Sequence, residues 1–359
     1  MAPKYQQLAN TLKQDIKTRL KPGDRMASQR ELMNAYGLSF TTVDNALKLL
    51  VNDGLLVRLQ GKGTFVSSIE AKDKKPTSSS IYIFSALSMP GRAHALVDGY
   101  LSTLYSAIRN ELVDTGINLS FATFINASPE QIARHEGFDA AILIAPTDEY
   151  KELVKQFEIN HIPTVVIGAE WPDIDLPLVD SDNEEGICRA VELLAGHGHR
   201  RICYIDRDNS TIHSEIRKKA LLAQIAERNL IIKDEWCINM PFNRLDDNNR
   251  ADIRRIFTRD ERPTAVMFSS LYPSAMLVIS ELKSLGLRLP EDVSIIGFDD
   301  PAWASCTEPP ITVIKQPLEE IGCRAVRMLL SQLEGKIYTR KEILKDELVE
   351  RESVAQIQG

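Results

Sequence analysis

Apolar positions at the start of the chain follow a helical period and then break into short strand-like runs. Tyr5, Leu8, Leu12, Ile16 and Leu20 fall on one helical face, and Pro22-Gly23-Asp24 ends that helix. Ser28-Gln-Arg-Glu31 has the spacing of a capping box, which predicts a short helix running to about Tyr36. Gly37-Leu38-Ser39 reads as a tight turn. A further helix is predicted from about Thr41 to Asp53, burying Val43, Ala46, Leu47 and Leu50, with Gly54 as its stop. Leu55–Gln60 and Thr64–Val66 flank a Gly61-Lys62-Gly63 tip and predict a hairpin. Two short helices joined by a glycine-containing turn have the spacing of a helix-turn-helix, whose second helix enters the major groove of double-stranded DNA.

Residues 69–80 are charged and serine-rich with no periodic apolar positions, the composition of a linker. From Ile81 the pattern changes again. Ile81–Ser85, Ala140–Ala145, Thr164–Ile167, Arg201–Ile205, Ala265–Phe268 and Val293–Phe298 are short apolar runs bounded by Gly, Pro or polar residues. Amphipathic stretches lie between them, at Val97–Thr115, Glu184–Ala195, Ile216–Arg228 and Ala275–Leu285. This alternation predicts parallel sheets built from βαβ units. The chain from 81 to 359 is long enough for two such lobes, and a ligand belongs in the loops after the strands. The domains expected are therefore 1–68, an α+β winged helix-turn-helix; 69–80, a linker; and 81–359, a two-lobed α/β domain with parallel sheets.

Charge sharpens that division. The net charge is −7, yet residues 1–68 hold ten Lys/Arg against five Asp/Glu, so a basic head precedes an acidic body. Such asymmetry suits a polyanion-binding module joined to one that avoids DNA. The start has no apolar core for a secretory signal and no run is long enough to span a membrane, so a cytoplasmic protein is expected. Five scattered cysteines, with no CxxC pair, fit reduced thiols rather than a disulfide framework or zinc site. His197 and His199 lie in a glycine-flanked turn, which turn chemistry explains better than a metal. No Gly-x-Ser-x-Gly, His-Glu-x-x-His, Gly-x-x-x-x-Gly-Lys or Gly-x-Gly-x-x-Gly motif occurs, and neither catalysis nor a cofactor is expected.

The order Pro22-Gly-Asp-Arg, Ser28-Gln-Arg-Glu-Leu, Gly37-Leu-Ser, Thr41-Thr-Val and Gly61-Lys-Gly-Thr-Phe-Val66 resembles the GntR-type winged helix over nearly all of residues 4–68. The resemblance implies Lys4 and Tyr5 near phosphates, and Arg30, Thr41 and Thr42 at the groove beside Ser28 and Ser39. It also implies a wing contact through Gln60, Gly61, Lys62 and Gly63. The sequence departs from the family pattern at Ala27, usually proline, and at Phe40 and Asp44, usually arginines. Arginine is the commonest reader of guanine, so the base preference should change. Phe40 would touch a thymine methyl or merely pack; Asp44, with Asn45, would accept from cytosine or pair with adenine, or merely face solvent.

Segments 179–186, 196–202, 262–265, 287–300 and 309–322 resemble, in order and spacing, the LacI/GalR family, whose sensor shares the two-lobed fold of periplasmic sugar-binding proteins. That resemblance implies Arg217 and Asp299 on sugar hydroxyls, with Gln316 beside them and Phe242 or Trp171 as a stacking face. Two departures alter the expected site. Ser270-Leu271 stands where Asn-Asp is usual, and Pro90-Gly91-Arg92 stands where Asn-Pro-Phe is usual, so Arg92 adds positive charge. Altered polar groups favour a different hydroxyl pattern, a charged sugar derivative or a ligand that is not a sugar.

The combination resembles the architecture of arabinose-type repressors. It implies a homodimer on a palindromic operator, released by a monosaccharide or related effector. Two other readings were weighed. GntR-type heads also occur on aminotransferase-like bodies holding pyridoxal phosphate, which the spacing of the LacI/GalR-like segments opposes. A transport binding protein shares the sensor fold, and the DNA-binding head opposes it.

Overall fold

The computed structural model describes residues 3–21, 23–52, 55–59, 63–66, 80–85, 99–124, 127–134, 137–207, 211–241 and 243–357. It divides into two units, Met1–Thr77 and Ser78–Gly359.

The first unit holds helices α1 (Lys4–Arg19), α2 (Gln29–Tyr36) and α3 (Phe40–Asn52) with strands β1 (Leu56–Leu59) and β2 (Gly63–Val66). The capping box forms as its spacing requires: Glu31 N donates to Ser28 Oγ at 3.3 Å and Ser28 N to Glu31 Oε2 at 2.7 Å. Those bonds hold the Glu31 carboxyl below its usual range. Gly37 ends α2 in the left-handed region, its N–H returning to the Met33 carbonyl. The next helix opens at Phe40, one residue before the expected Thr41, because Ser39 caps it through Thr42 N at 3.3 Å. Leu8, Leu12 and Ile16 of the predicted stripe meet Val43, Leu47 and Leu50 in one buried cluster. The hairpin is antiparallel, with Leu56 opposite Val66, and Arg25 bridges Phe65 on its far side.

The second unit contains two six-stranded sheets. Lobe one is built on β3 (Ser80–Ser85), β4 (Asn118–Thr123), β5 (Ala140–Ile144), β6 (Thr164–Ile167), β7 (Leu178–Ser181) and β13 (Lys341–Leu344). Their order is β13-β7-β6-β5-β3-β4, all parallel. Every residue of β5 is buried, as expected of a parallel sheet covered on both faces. Helices α4 (Gly99–Leu112) and α11 (Leu318–Leu333) cover one face, while α5 (Pro129–Ala133) and α6 (Lys151–Ile159) pack on the other.

Lobe two has β8 (Ile202–Arg207), β9 (Cys237–Met240), β10 (Ala265–Phe268), β11 (Ser294–Phe298), β12 (Thr312–Lys315) and β14 (Glu347–Val349), in the order β14-β12-β11-β10-β8-β9. Successive residues of β10 serve opposite faces. Ala265 and Met267 meet α7 (Asn183–Gly196) and α8 (Ile212–Glu227); Val266 and Phe268 meet α9 (Asp247–Phe257) and α10 (Pro273–Ser284). One strand departs from the expected parallel arrangement: β14 is antiparallel to β12, because the chain enters it directly from lobe one without a helical crossover.

The chain passes between lobes three times, at Asp182, at Gln316-Pro317 and at Lys345-Asp346. They are tied to one another, Asp182 N donating to the Leu344 carbonyl and Ser181 Oγ to Gln316 Oε1 at 3.0 Å. As the places where the chain joins the lobes, they are termed the hinge.

Candidate functional site

In the head, local structure decides which of the sequence-predicted residues have free side chains. Lys4, Arg30 and Thr41 are exposed, Thr42 and Asn45 half-buried, and Tyr5 packs partly against the head core. Ser28 and Ser39 act first as helix caps, and Ser39 Oγ also lies 2.8 Å from Thr42 Oγ1. Phe40 is 56% exposed at the start of α3, so the alternative in which it merely packs is corrected. Asp44 does not stand free toward solvent either. Gln29 Nε2 donates to its Oδ1 at 2.6 Å, and Lys48 Nζ lies 3.1 Å from Oδ2, so the carboxylate ties α2 to α3. Gly63 opens β2, while Gln60, Gly61 and Lys62 lie outside the described residues.

In the second unit a cavity of about 840 Å³ opens between the lobes. Lobe one contributes Tyr100, Ser102 and Thr103 from the first turn of α4, and lobe two contributes Thr211, His213 and Arg217 from α8. Ser270, Asp299 and Gln316 add to the polar wall, as do Asn243, Lys315 and Glu319. Two non-glycine residues with positive φ stand at this cavity, Ala145 (45°) after β5 and Asp299 (71°) after β11. Such backbone is costly and is retained where position matters.

Arg217 is held rigidly. Its Nε donates to Asn183 Oδ1 and its Nη1 to the Ser269 carbonyl, each at 2.7 Å. Its guanidinium carbon stands 3.5 Å from the centre of the Phe298 ring, a cation–π contact in a desolvated setting. Asp299 Oδ2 is 4.0 Å from Arg217 Nη1 and accepts from Ser270 Oγ. Gln316 Nε2 donates to Asp299 Oδ1 at 2.5 Å. Asp299, Gln316 and Ser270 therefore form one hydrogen-bonded group, with Arg217 beside it at ion-pair distance. Asp300 also borders the cavity, but its carboxylate is engaged in a two-pronged pair with Arg351 at 2.8 and 2.9 Å.

His213 joins the lobes. Its Nε2 lies 3.3 Å from Asp180 Oδ1 of β7, and both side chains are buried. The ring lies on Gly168, where a Cβ would sit 2.1 Å from His213 Cε1, and Gly168 has φ 81°. Only glycine fits. Next to this contact, on the third crossover, burial pushes the Asp346 carboxyl up to about 7 despite the opposing pull of Arg217.

Trp171 is a correction. Its ring is buried among Phe84, Phe157 and their neighbours in lobe one, with Nε1 donating to Asp148 Oδ1 at 2.6 Å, and it does not line the cavity. A large aromatic side chain next to a sheet gains more from burial than from a half-wet cleft. Among the described residues, Tyr100, Tyr272 and Trp303 are the aromatic rings at the cavity. Arg92 and Phe242 lie outside the described residues. Sequence reasoning missed His213 because it placed the start of α8 at Ile216; the capping signal at Thr211, which accepts from Ser214 N, marks the true start. His197 ends α7 with Nδ1 2.8 Å from the Leu193 carbonyl, the turn role expected of it.

Residues 4–66 match the family of bacterial regulatory proteins of gntR type, and residues 191–354 match the periplasmic binding protein-like domain. The chain is 26% identical to an arabinose metabolism transcriptional repressor of Geobacillus stearothermophilus, over 99% of this chain and 98% of that one. It is also 26% identical to the HTH-type transcriptional repressor PurR of Mannheimia succiniciproducens, over 92% and 100% respectively. Among solved structures, the transcriptional regulator CelR in complex with cellobiose matches with TM-score 0.66 at 20% identity, covering 88% of this chain and 91% of that chain. A LacI-family transcriptional regulator of Enterococcus faecium with bound ribose matches with TM-score 0.60 at 21% identity, covering 78% and 100%. The structural likenesses establish a shared fold.

Proposed function

We propose that this chain, a gntR-type winged helix joined to a periplasmic-binding-protein-like sensor, is a transcriptional repressor of carbohydrate-utilisation genes. A sugar or sugar-derived effector in the interlobe cleft releases it from operator DNA. The observation that carries the reading is the juxtaposition of Arg217 with the hydrogen-bonded Asp299 and Gln316 at the wall of a cavity large enough for a monosaccharide or disaccharide. A fixed guanidinium donates to hydroxyl oxygens and a carboxylate accepts from vicinal hydroxyls, so the pair reads both sides of a polyol. The relatives that align along nearly the whole chain are repressors, one of arabinose metabolism, which supports the direction of control.

Effector contacts reach lobe one through α4 and lobe two through α8, so binding favours one lobe arrangement over the other. A single winged helix makes few base contacts, and useful affinity comes from two heads on a palindromic site, which a homodimer supplies. In each head α3 enters the major groove with Phe40, Thr41 and Asn45 toward the bases, while Lys4, Arg30 and Lys62 meet phosphates. Asp44 positions α2 and α3 rather than reading a base.

The test is a thermal-shift screen of the full-length protein against pentoses, hexoses, deoxy-sugars, uronic acids, sugar phosphates and nucleosides. An effector at 100 times its dissociation constant adds about 2.7 kcal/mol of stability. One stereospecific sugar hit that also frees the protein from its promoter is expected. A nucleoside hit, or a sugar hit without effect on DNA binding, would sink the reading.

A further inference from the structure

We propose that Asp346 is a proton-dependent lock on the hinge, neutral while the lobes hold the arrangement described here and charged once the third crossover is wetted. The proposal concerns lobe movement alone and needs neither the operator nor the effector.

Asp346 lies between β13 and β14, where the chain makes its last passage between lobes. It is 4% exposed, and among the described residues neither carboxylate oxygen has a hydrogen-bond partner. Other buried carboxyls of the sensor are satisfied. Asp206 accepts from Ser214, from Ser269 Oγ and from Arg207 N. Asp180 accepts from Ser181 N and faces His213, and Asp299 accepts from Ser270 and Gln316. Ser181, whose hydroxyl also bears on Asp346, gives its hydrogen to Gln316 Oε1 at 3.0 Å.

The surroundings explain why charge is unwelcome there. From α8 comes Arg217, already held by Asn183 and Ser269; from β7 comes Asp180, and from the loop after β11 comes Asp299. From α7, Arg189 uses its guanidinium on the Asp346 carbonyl oxygen at 2.9 Å rather than on the carboxylate. Gly186 of α7 closes the remaining side: a Cβ there would lie 2.9 Å from Asp346 Oδ2 and 2.8 Å from Ile314. The adjoining Lys345 and Glu347 are exposed. Asp346 thus faces two other carboxyls, Asp180 and Asp299, while the one guanidinium near it is already engaged, and protonating Asp346 relieves the excess negative charge.

Burial holds the Asp346 carboxyl near 7, whereas a wetted carboxyl returns toward 3.8. Between those values the observed arrangement binds one more proton than an opened one, so rising pH favours opening.

Hydrogen exchange of the full chain, followed by mass spectrometry at the three crossovers and corrected for intrinsic rates, tests this from pH 5 to pH 8. Wild-type protection should fall by about tenfold per pH unit up to about pH 7 and then level off. Asp346→Asn, which mimics the neutral carboxyl, should give a flat profile. A flat wild-type profile overturns the proposal without any variant. An Asp346→Asn profile that follows the wild type overturns it too, and assigns the titration to another group.

Discussion

Gln316 Nε2 donates to Asp299 Oδ1 at 2.5 Å while Gln316 Oε1 accepts from Ser181, so one amide links two crossovers to the cavity wall. An effector that pulls on Asp299 therefore pulls on the hinge. Gln316→Ala should leave effector affinity within about tenfold of wild type but reduce its influence on DNA binding, since the coupling between sites runs through this link. Calorimetry for the effector beside anisotropy for DNA separates the two quantities.

Asp299→Asn keeps the shape and removes the charge proposed to accept from paired hydroxyls. Hydrogen bonds to charged groups contribute about 1.5–3 kcal/mol, so effector affinity should fall by about 10- to 100-fold. Operator affinity without effector should be unchanged. Loss of DNA binding in this variant would mean that Asp299 is structural rather than a ligand contact.

Gly168→Ala drives a Cβ into the His213 ring at a backbone angle that L residues avoid. Overpacking of this kind costs about 1–3 kcal/mol. Adding His213→Ala removes the clash, so the double variant should be more stable than Gly168→Ala alone, a coupling that denaturant midpoints measure.

Trp171→Phe removes the bond to Asp148 and leaves the ring buried. Stability should fall by about 1–2 kcal/mol with effector affinity unchanged. An altered sugar preference would restore Trp171 to the site.

His199 is buried with Nδ1 3.0 Å from Thr264 Oγ1 and, among the described residues, Nε2 has no hydrogen-bond partner; burial lowers its pKa from 6.5 to about 4. The unfolded chain takes up this proton first as pH falls, so stability is lost between about pH 6.5 and pH 4. The loss attributable to His199 approaches about 3 kcal/mol. A pH series of wild type and His199→Gln should show a steeper acid loss in the wild type.

The head was largely legible because its signals are local: the Ser28 capping box, the turn at Gly37 and the stripe from Leu8 to Ile16 each act within a few residues. Its exception, the Gln29–Asp44 bond, joins residues 15 apart in sequence, which neither period nor capping exposes. In the sensor, central strands such as β5 announced themselves as continuous apolar runs. Edge strands did not. β13 alternates exposed and half-buried residues, and β4 carries Asn118, Ser120 and Thr123 among its apolar positions. The trio of Arg217, Asp299 and Gln316 followed from family resemblance, but His213, Asp180 and Asp346 come together only when three separate crossovers meet.

Lys62 stands in the sequence between β1 and β2, and the phosphate contact proposed for it would support every sequence alike. Lys62→Ala should weaken binding to all DNA and lower the salt slope by about one unit. An unchanged slope would remove the wing from the interface.

The central claim is tested most directly by titrating labelled promoter DNA with the full-length protein, with and without the stabilising sugar found by thermal shift. The account predicts that saturating sugar weakens DNA binding by about 5- to 150-fold, the range of a coupling of about 1–3 kcal/mol, and that DNA weakens sugar binding by the same factor. Unchanged or tighter DNA binding in the presence of the sugar would contradict it.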